Sequence, residues 1–259
     1  MVNLETIRAA NAIGLFAGTL KHSGEIKVTS AGLDSAGRVV LSAHKDAFLE
    51  GNATVDVDNS VCKGGSVHVF GERVGLFDRS IITARGAAGG GEILIGGDYR
   101  GLNPAVRNAW RTFVAPDAIL NADAIASGDG GKVIVWADDV TRFNGTISAR
   151  GGPQSGDGGF VETSGKQSLL VGNSARVDTR APAGRVGRWL LDPKNIIVQT
   201  GGTITTSAGT DIISTPPTGI CPRERSARQV QAVSGSRVPP AWMRQAAPGA
   251  SLSNKAAAP

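Results

Sequence analysis

Short alternations of apolar and polar residues recur along this chain, at Val39/Leu41, Val67/Val69, Ile93/Ile95, Val133/Val135, Val161/Thr163 and Trp189/Leu191. One residue separates the members of each pair, so both fall on one face of an extended strand and point to a core. A glycine precedes each alternation. Aligning on Gly37, Gly65, Gly91, Gly131, Gly159 and Gly187 gives intervals of 28, 26, 40, 28 and 28 residues. The long interval exceeds the others by about 12, and the excess falls where "DYRGLNPAVRNAW" interrupts the pattern. Such self-similarity is an internal repeat.

Each unit has two further parts. A bulky apolar position follows the strand, at Phe48, Phe77, Val114, Phe143 and Leu170. A last segment then reads roughly I-x-A-x-G, as in "TVDVDN", "IITARG", "ILNADA", "TISARG" and "RVDTRA". Three short strands and three corners per repeat of about 28 residues describe one rung of a parallel β-helix. A lone rung buries too little to offset the entropy of ordering it, so rungs must stack and share one core. Parallel crossovers are overwhelmingly right-handed, which predicts an all-β, right-handed solenoid of about six rungs over residues 1–213. The recurrent glycines are expected to turn the chain into the first strand of each rung, where corners call for positive φ and no Cβ. Pro116, Pro153 and Pro182 fall at predicted corners. The interruption, residues 98–112, is expected to leave the coil as a small excursion. Asn103 would cap a helix near 103–111 and Pro104 would be its first residue.

Composition supports a turn-rich β architecture: 36 of 259 residues are glycine and only 5% are aromatic. An apolar content of 41% suffices for a sizeable core. From Ser214 onward the character changes, with seven of the 12 prolines and no glycine-led strand. We read 214–259 as a disordered tail, and its Arg/Ala/Pro bias is what a GC-rich gene gives in a shifted frame. Charge separates the same two parts. Six of the 27 Lys+Arg (Arg223, Arg225, Arg228, Arg237, Arg244, Lys255) and one of the 22 acids (Glu224) lie in the tail, which leaves 21 of each sign before it. The body is therefore neutral, and the net charge of +5 is no basic face for nucleic acid. No apolar run approaches membrane-spanning length, and the opening "MVNLETIRAANAIGLFAGTL" is not a secretory signal. The two cysteines, Cys62 and Cys221, make neither a disulfide framework nor a thiolate metal site.

Candidate chemistry is sparse. "GAAGGGEILIGG" leads into a strand, whereas a dinucleotide loop must open a helix. Asp129 and Asp157 precede their glycine pairs at too long a period for a calcium nonapeptide, and are expected to bond their own turns. Asp138-Asp139, with Asp98, resembles the acidic pairs of polysaccharide-active β-helices, but the same offset in other rungs holds His44-Lys45, Glu72-Arg73 and Lys166-Gln167. His22, His44 and His68 lie in different repeats without metal spacing, and His68, between Val67 and Val69, should point outward. We assign no catalytic, cofactor-binding or metal residue.

The blocks "GGEILIGGDYRG", "GDGGKVIVWADDVTRFNGTISARGG", "GDGGFVETSGK" and "WLLDPKNI" resemble the shaft of filamentous-haemagglutinin-like exoproteins, over about residues 1–213. The resemblance implies a right-handed β-helix projecting from a Gram-negative cell, non-enzymatic, and active in adhesion, aggregation or biofilm. It also implies an outer-membrane β-barrel transporter for the parent protein and a cell-surface glycan or protein as receptor. The Asn-Pro motifs of the family's N-terminal secretion domain are not found, so the expectation is a piece of shaft without secretion or receptor-binding regions. The alternatives are a polysaccharide-active enzyme with a groove near Asp98, Asp138 and Asp139, a haem-utilisation or haemolysin-type fragment, and a gene remnant without function.

Overall fold

A computed structural model describes residues 1–29 and 36–193, and the backbone of 205–206 and 211–214. The reading of 214–259 as a disordered tail lies outside the described residues, Ser214 excepted.

The described chain is a coil of three parallel sheets, with seven, eight and eight strands. Successive strands of one rung enter different sheets, and each pairs with its counterpart in the next rung. In the glycine-led sheet, Ile13, Val39, Val67, Ile93, Val133, Val161 and Trp189 stand in direct register, one above another. All seven are buried. A second inward column runs through Ile7, Ile26, Val55, Ile82, Leu120, Ile147 and Val177. Together with Leu49, Leu76, Val114, Phe143 and Val171 of the third sheet, these side chains form one continuous core. The stack buries what a single rung exposes.

The glycine column stands where expected, for a different reason. None of Gly37, Gly65, Gly91, Gly131, Gly159 or Gly187 has positive φ. A Cβ on Gly65, Gly91, Gly131, Gly159 or Gly187 would instead overlap the carbonyl oxygen of the equivalent glycine one rung earlier. Close approach of backbones, not turn handedness, demands the missing side chain. The approach lets Lys132 N–H donate to Gly91 O at 2.9 Å, and Phe160 N–H to Gly131 O at 3.0 Å.

In the middle strand, three of the five bulky apolar positions lie one residue away from the inward column. Its inward column is Leu49, Leu76, Val114, Phe143 and Val171, so of the bulky positions Val114 and Phe143 point inward. Phe48 and Leu170 occupy the neighbouring, outward column, and Phe77 lies just past its strand. A shift of one residue moves a side chain to the opposite face. Outside, Phe48, Phe77 and Phe113 form an aromatic ladder with ring centroids 5.2 and 5.3 Å apart.

Pro116, Pro153 and Pro182 all sit at corners. The excursion is present, but its helical turn is a single 3-10 turn at Tyr99–Gly101, capped by Asp98. Past it, Pro104 and Ala105 form a turn, Val106 a bend, and residues 107–109 have no regular structure. Asn103 accepts the Ala105 N–H at 3.1 Å, as an Asx turn does, and no α-helix follows Pro104.

Candidate functional site

The side chains that set this chain apart from a plain coil gather on the outer face of the glycine-led sheet. There the excursion lies across the strands as a strap. At one end Arg107 donates Nη1 to the Ala43 and His44 carbonyls at 3.2 and 2.9 Å. At the other, Arg100 N–H donates to Glu162 Oε2 at 3.1 Å, and Arg100 Nε lies 3.1 Å from Asp192 Oδ2. The strap thus reaches from the strand Arg38–Ala43 to the end of Arg188–Leu191, six strands of one sheet. Beneath it lies a second apolar cluster, Leu94, Ile134 and Trp136, flanked by Phe70 and Phe160. Tyr99 meets Phe160 edge-on at 5.7 Å.

Two of the three aspartates considered for glycan chemistry hold this strap. Asp98 accepts from Lys132 Nζ at 2.6 Å and from Asn103 Nδ2 at 2.8 Å. Partial burial pushes its carboxyl up, but these bonds and the Tyr99 N–H outweigh it and hold it below the usual carboxylate range. Asp138 accepts from Trp136 Nε1 and from Asn108 Nδ2, each at 3.1 Å. Asp139 faces away to another partner, Arg111, at 3.0 Å. Each acid has a fixed structural donor, so Asp138 and Asp139 do not face one another across a cleft.

The histidines stay apart. His22 is fully buried, its Nδ1 3.1 Å from Asn3 Nδ2 and its Nε2 3.3 Å from Thr54 O. Desolvation lowers its pKa. His68 projects from the outer face, as read, and meets Glu92 Oε1 at 2.9 Å. His44 is exposed. No group of three metal-ligating side chains occurs among the described residues.

Asp129 and Asp157 correct another expectation, since both bond the next rung and not their own turn. Asp129 Oδ1 accepts the Asp157 N–H at 2.7 Å, and Asp157 Oδ1 accepts the Arg185 N–H at 2.8 Å. The other Asp157 oxygen takes the Arg185 guanidinium at 2.9 and 2.6 Å. The same two-oxygen staple joins Asp58 to Arg85 and Asp123 to Arg150. Asp–Arg pairs 27 or 28 residues apart therefore clamp rung to rung, matching charge and backbone donor at once. The sequence carries this signal as an aspartate and an arginine one repeat apart. Arg85, Arg150 and Arg180 line a surface groove of about 700 Å³, together with Ile125, Pro153 and Pro182.

Glu162 is the side chain that sequence reading missed. It sits under the strap with no exposed surface. Its Oε1 has no hydrogen-bond partner, and burial pushes the carboxyl up to about 7.

A coil of parallel rungs with one face strapped, and with acids committed to structural partners, defines a parallel β-helical scaffold. No protein-family model matches the chain, and no curated protein matches it. Among solved structures it is similar to the HMW1 secretion domain from Haemophilus influenzae, at 34% identity and a TM-score of 0.63. The match covers 74% of this chain and 49% of that one, so the chain spans about half the length of that relative. The sequence blocks and this match agree: the chain carries a β-helix of the two-partner secretion exoprotein kind. The matched part of such a protein is a secretion domain, where the sequence blocks alone pointed to shaft.

Proposed function

We propose that this chain is a structural segment of a secreted surface exoprotein, built for export and display and not for catalysis. The observation that carries the reading is the 34% identity to a secretion domain over 74% of the chain. The physics of the coil supports it. Rungs close the backbone hydrogen bonds of their neighbours, so the fold can form progressively as chain emerges and can then stand as a stiff rod. An outer-membrane β-barrel transporter is the export partner of the parent protein. A glycan or protein on a host or bacterial cell is the receptor that the exposed faces meet.

Two measurements test this: binding of the purified chain to the periplasmic part of a two-partner-secretion transporter, and attachment of chain-coated beads to epithelial and bacterial cells. Saturable binding in either supports the reading. Binding in neither, together with glycan turnover that Asp139→Ala abolishes, would replace it with the enzyme reading.

A further inference from the structure

The strap is held down at a place where the fold buries an acid. Glu162 belongs to the outward column of the strand Phe160–Gly165, between Ile134 of one neighbour and Leu190 of the other. Both neighbours are buried and apolar, and Glu162 itself has no exposed surface. One carboxyl oxygen accepts the Arg100 N–H at 3.1 Å, while the other has no hydrogen-bond partner. Arg100, the donor, sits in the left-handed region at φ 55, a conformation that non-glycine residues rarely hold without a compensating contact. The strap thus has a strained residue pinned over a buried acid. Desolvation strongly disfavours a charge at such a place.

We propose that Glu162 is a proton-operated latch: protonated, it keeps the strap of residues 98–110 closed over the outer sheet face, and ionised, it releases the strap and uncovers Leu94, Ile134 and Trp136.

The groups facing the carboxyl make the switch asymmetric. From the strap comes Arg100, whose charge favours ionisation. From the end of the next strand comes Asp192, whose charge opposes it and which lies against Arg100 at 3.1 Å. The Ser164 hydroxyl on the same strand favours the ionised form. The two flanking strands present Ile134 and Leu190. Their basic residues, Lys132 and Arg188, stand at the strand starts, and Lys132 is held by Asp98 and Glu92. Burial outweighs the favourable contacts, so the carboxyl titrates at about 7 with the strap closed, against an ordinary 4.5 once water reaches it. Between pH 5 and pH 8 that difference raises the opening constant of the strap by about 70-fold.

Hydrogen exchange followed by mass spectrometry tests the latch, with rates corrected for the intrinsic pH dependence. In the wild-type chain, protection of the 98–110 amides should fall by about 70-fold from pH 5 to pH 8. Core peptides such as 39–43 should stay protected, and in Glu162→Gln the strap should stay level across the range. Equal pH profiles in wild type and Glu162→Gln would overturn the proposal, as would loss of core protection in step with the strap. Should Glu162→Gln fail to fold, the infrared carboxyl band of isotope-edited wild type decides. Titration near 7 supports the latch, and titration near 4.5 overturns it.

Discussion

Adding one methyl group at Gly131 should break the stack at a defined plane. A Cβ there would overlap the Gly91 carbonyl oxygen and come within 2.7 Å of the Ala122 Cβ and 3.0 Å of the Ala122 oxygen. The obstacles are mostly backbone on two sides, so no side-chain rotation relieves them. The rungs must part locally, which strains the Lys132 N–H to Gly91 O bond at 2.9 Å and the Gly131 N–H to Ala122 O bond at 2.8 Å. Two weakened bonds at about 1 kcal/mol each, with overpacking of about 1–3 kcal/mol, put the loss for Gly131→Ala at about 3–5 kcal/mol. Gly18 is the internal control, since a Cβ there meets nothing within 4 Å. Gly18→Ala should be neutral or stabilise by a few tenths of a kcal/mol, through the unfolded state. Urea unfolding followed by circular dichroism reads both. If Gly131→Ala fell within about 0.5 kcal/mol of Gly18→Ala, the close-approach explanation of the glycine column would be refuted.

Other outcomes follow from the same contacts. Asp123→Asn should cost about 1–2 kcal/mol, because Asp123 is 4% exposed and accepts from both the Arg150 backbone and guanidinium, although the Arg150 side chain is half in solvent. A double-mutant cycle with Arg150→Ala measures the coupling. Glu162 should make the fold less stable as pH rises from about 4.5 to about 7, where the unfolded chain has lost the proton that the native chain keeps. The full span is about 3 kcal/mol, and Glu162→Gln should abolish that slope in denaturant titrations. His22 acts in the opposite direction. Its lowered pKa means that the unfolded chain takes up a proton first, so stability falls as pH drops below about 6.5, and His22→Gln should remove that component.

The rung plan was legible because it depends on local, repeated requirements. Apolar pairs two residues apart specify strand and face locally, and glycines at fixed intervals mark the repeat, although what requires them is the backbone one rung away. The middle strand was harder, because apolar residues occupy both of its faces. Phe48 and Leu170 are the bulky positions of the repeat, yet they lie outside while Leu49 and Val171 point inward. The excursion was visible as an insertion, but Asp98 capped a 3-10 turn before Asn103 could start a helix. Glu162 had no signal of its own. In "GDGGFVETSGK" it occupies an outward position, and its cover comes from Arg100, 62 residues earlier in the chain. Alternation identifies which face a residue takes, not whether another segment lies over that face. The Asp–Arg staples were legible in principle, as pairs one repeat apart, once the repeat length was known.

Vertical register is the claim on which everything above depends, and cross-linking measures it directly. Thr146 and Arg176 are register partners on neighbouring rungs, 30 residues apart in sequence. Adjacent strands put such Cα atoms about 4.8 Å apart, within disulfide range. In a background with Cys62 and Cys221 changed to serine, Thr146→Cys with Arg176→Cys should oxidise to an intramolecular disulfide. Thr146→Cys with Asp178→Cys, two residues out of step, should stay reduced. Disulfide in the second pair and none in the first would contradict the stacked coil.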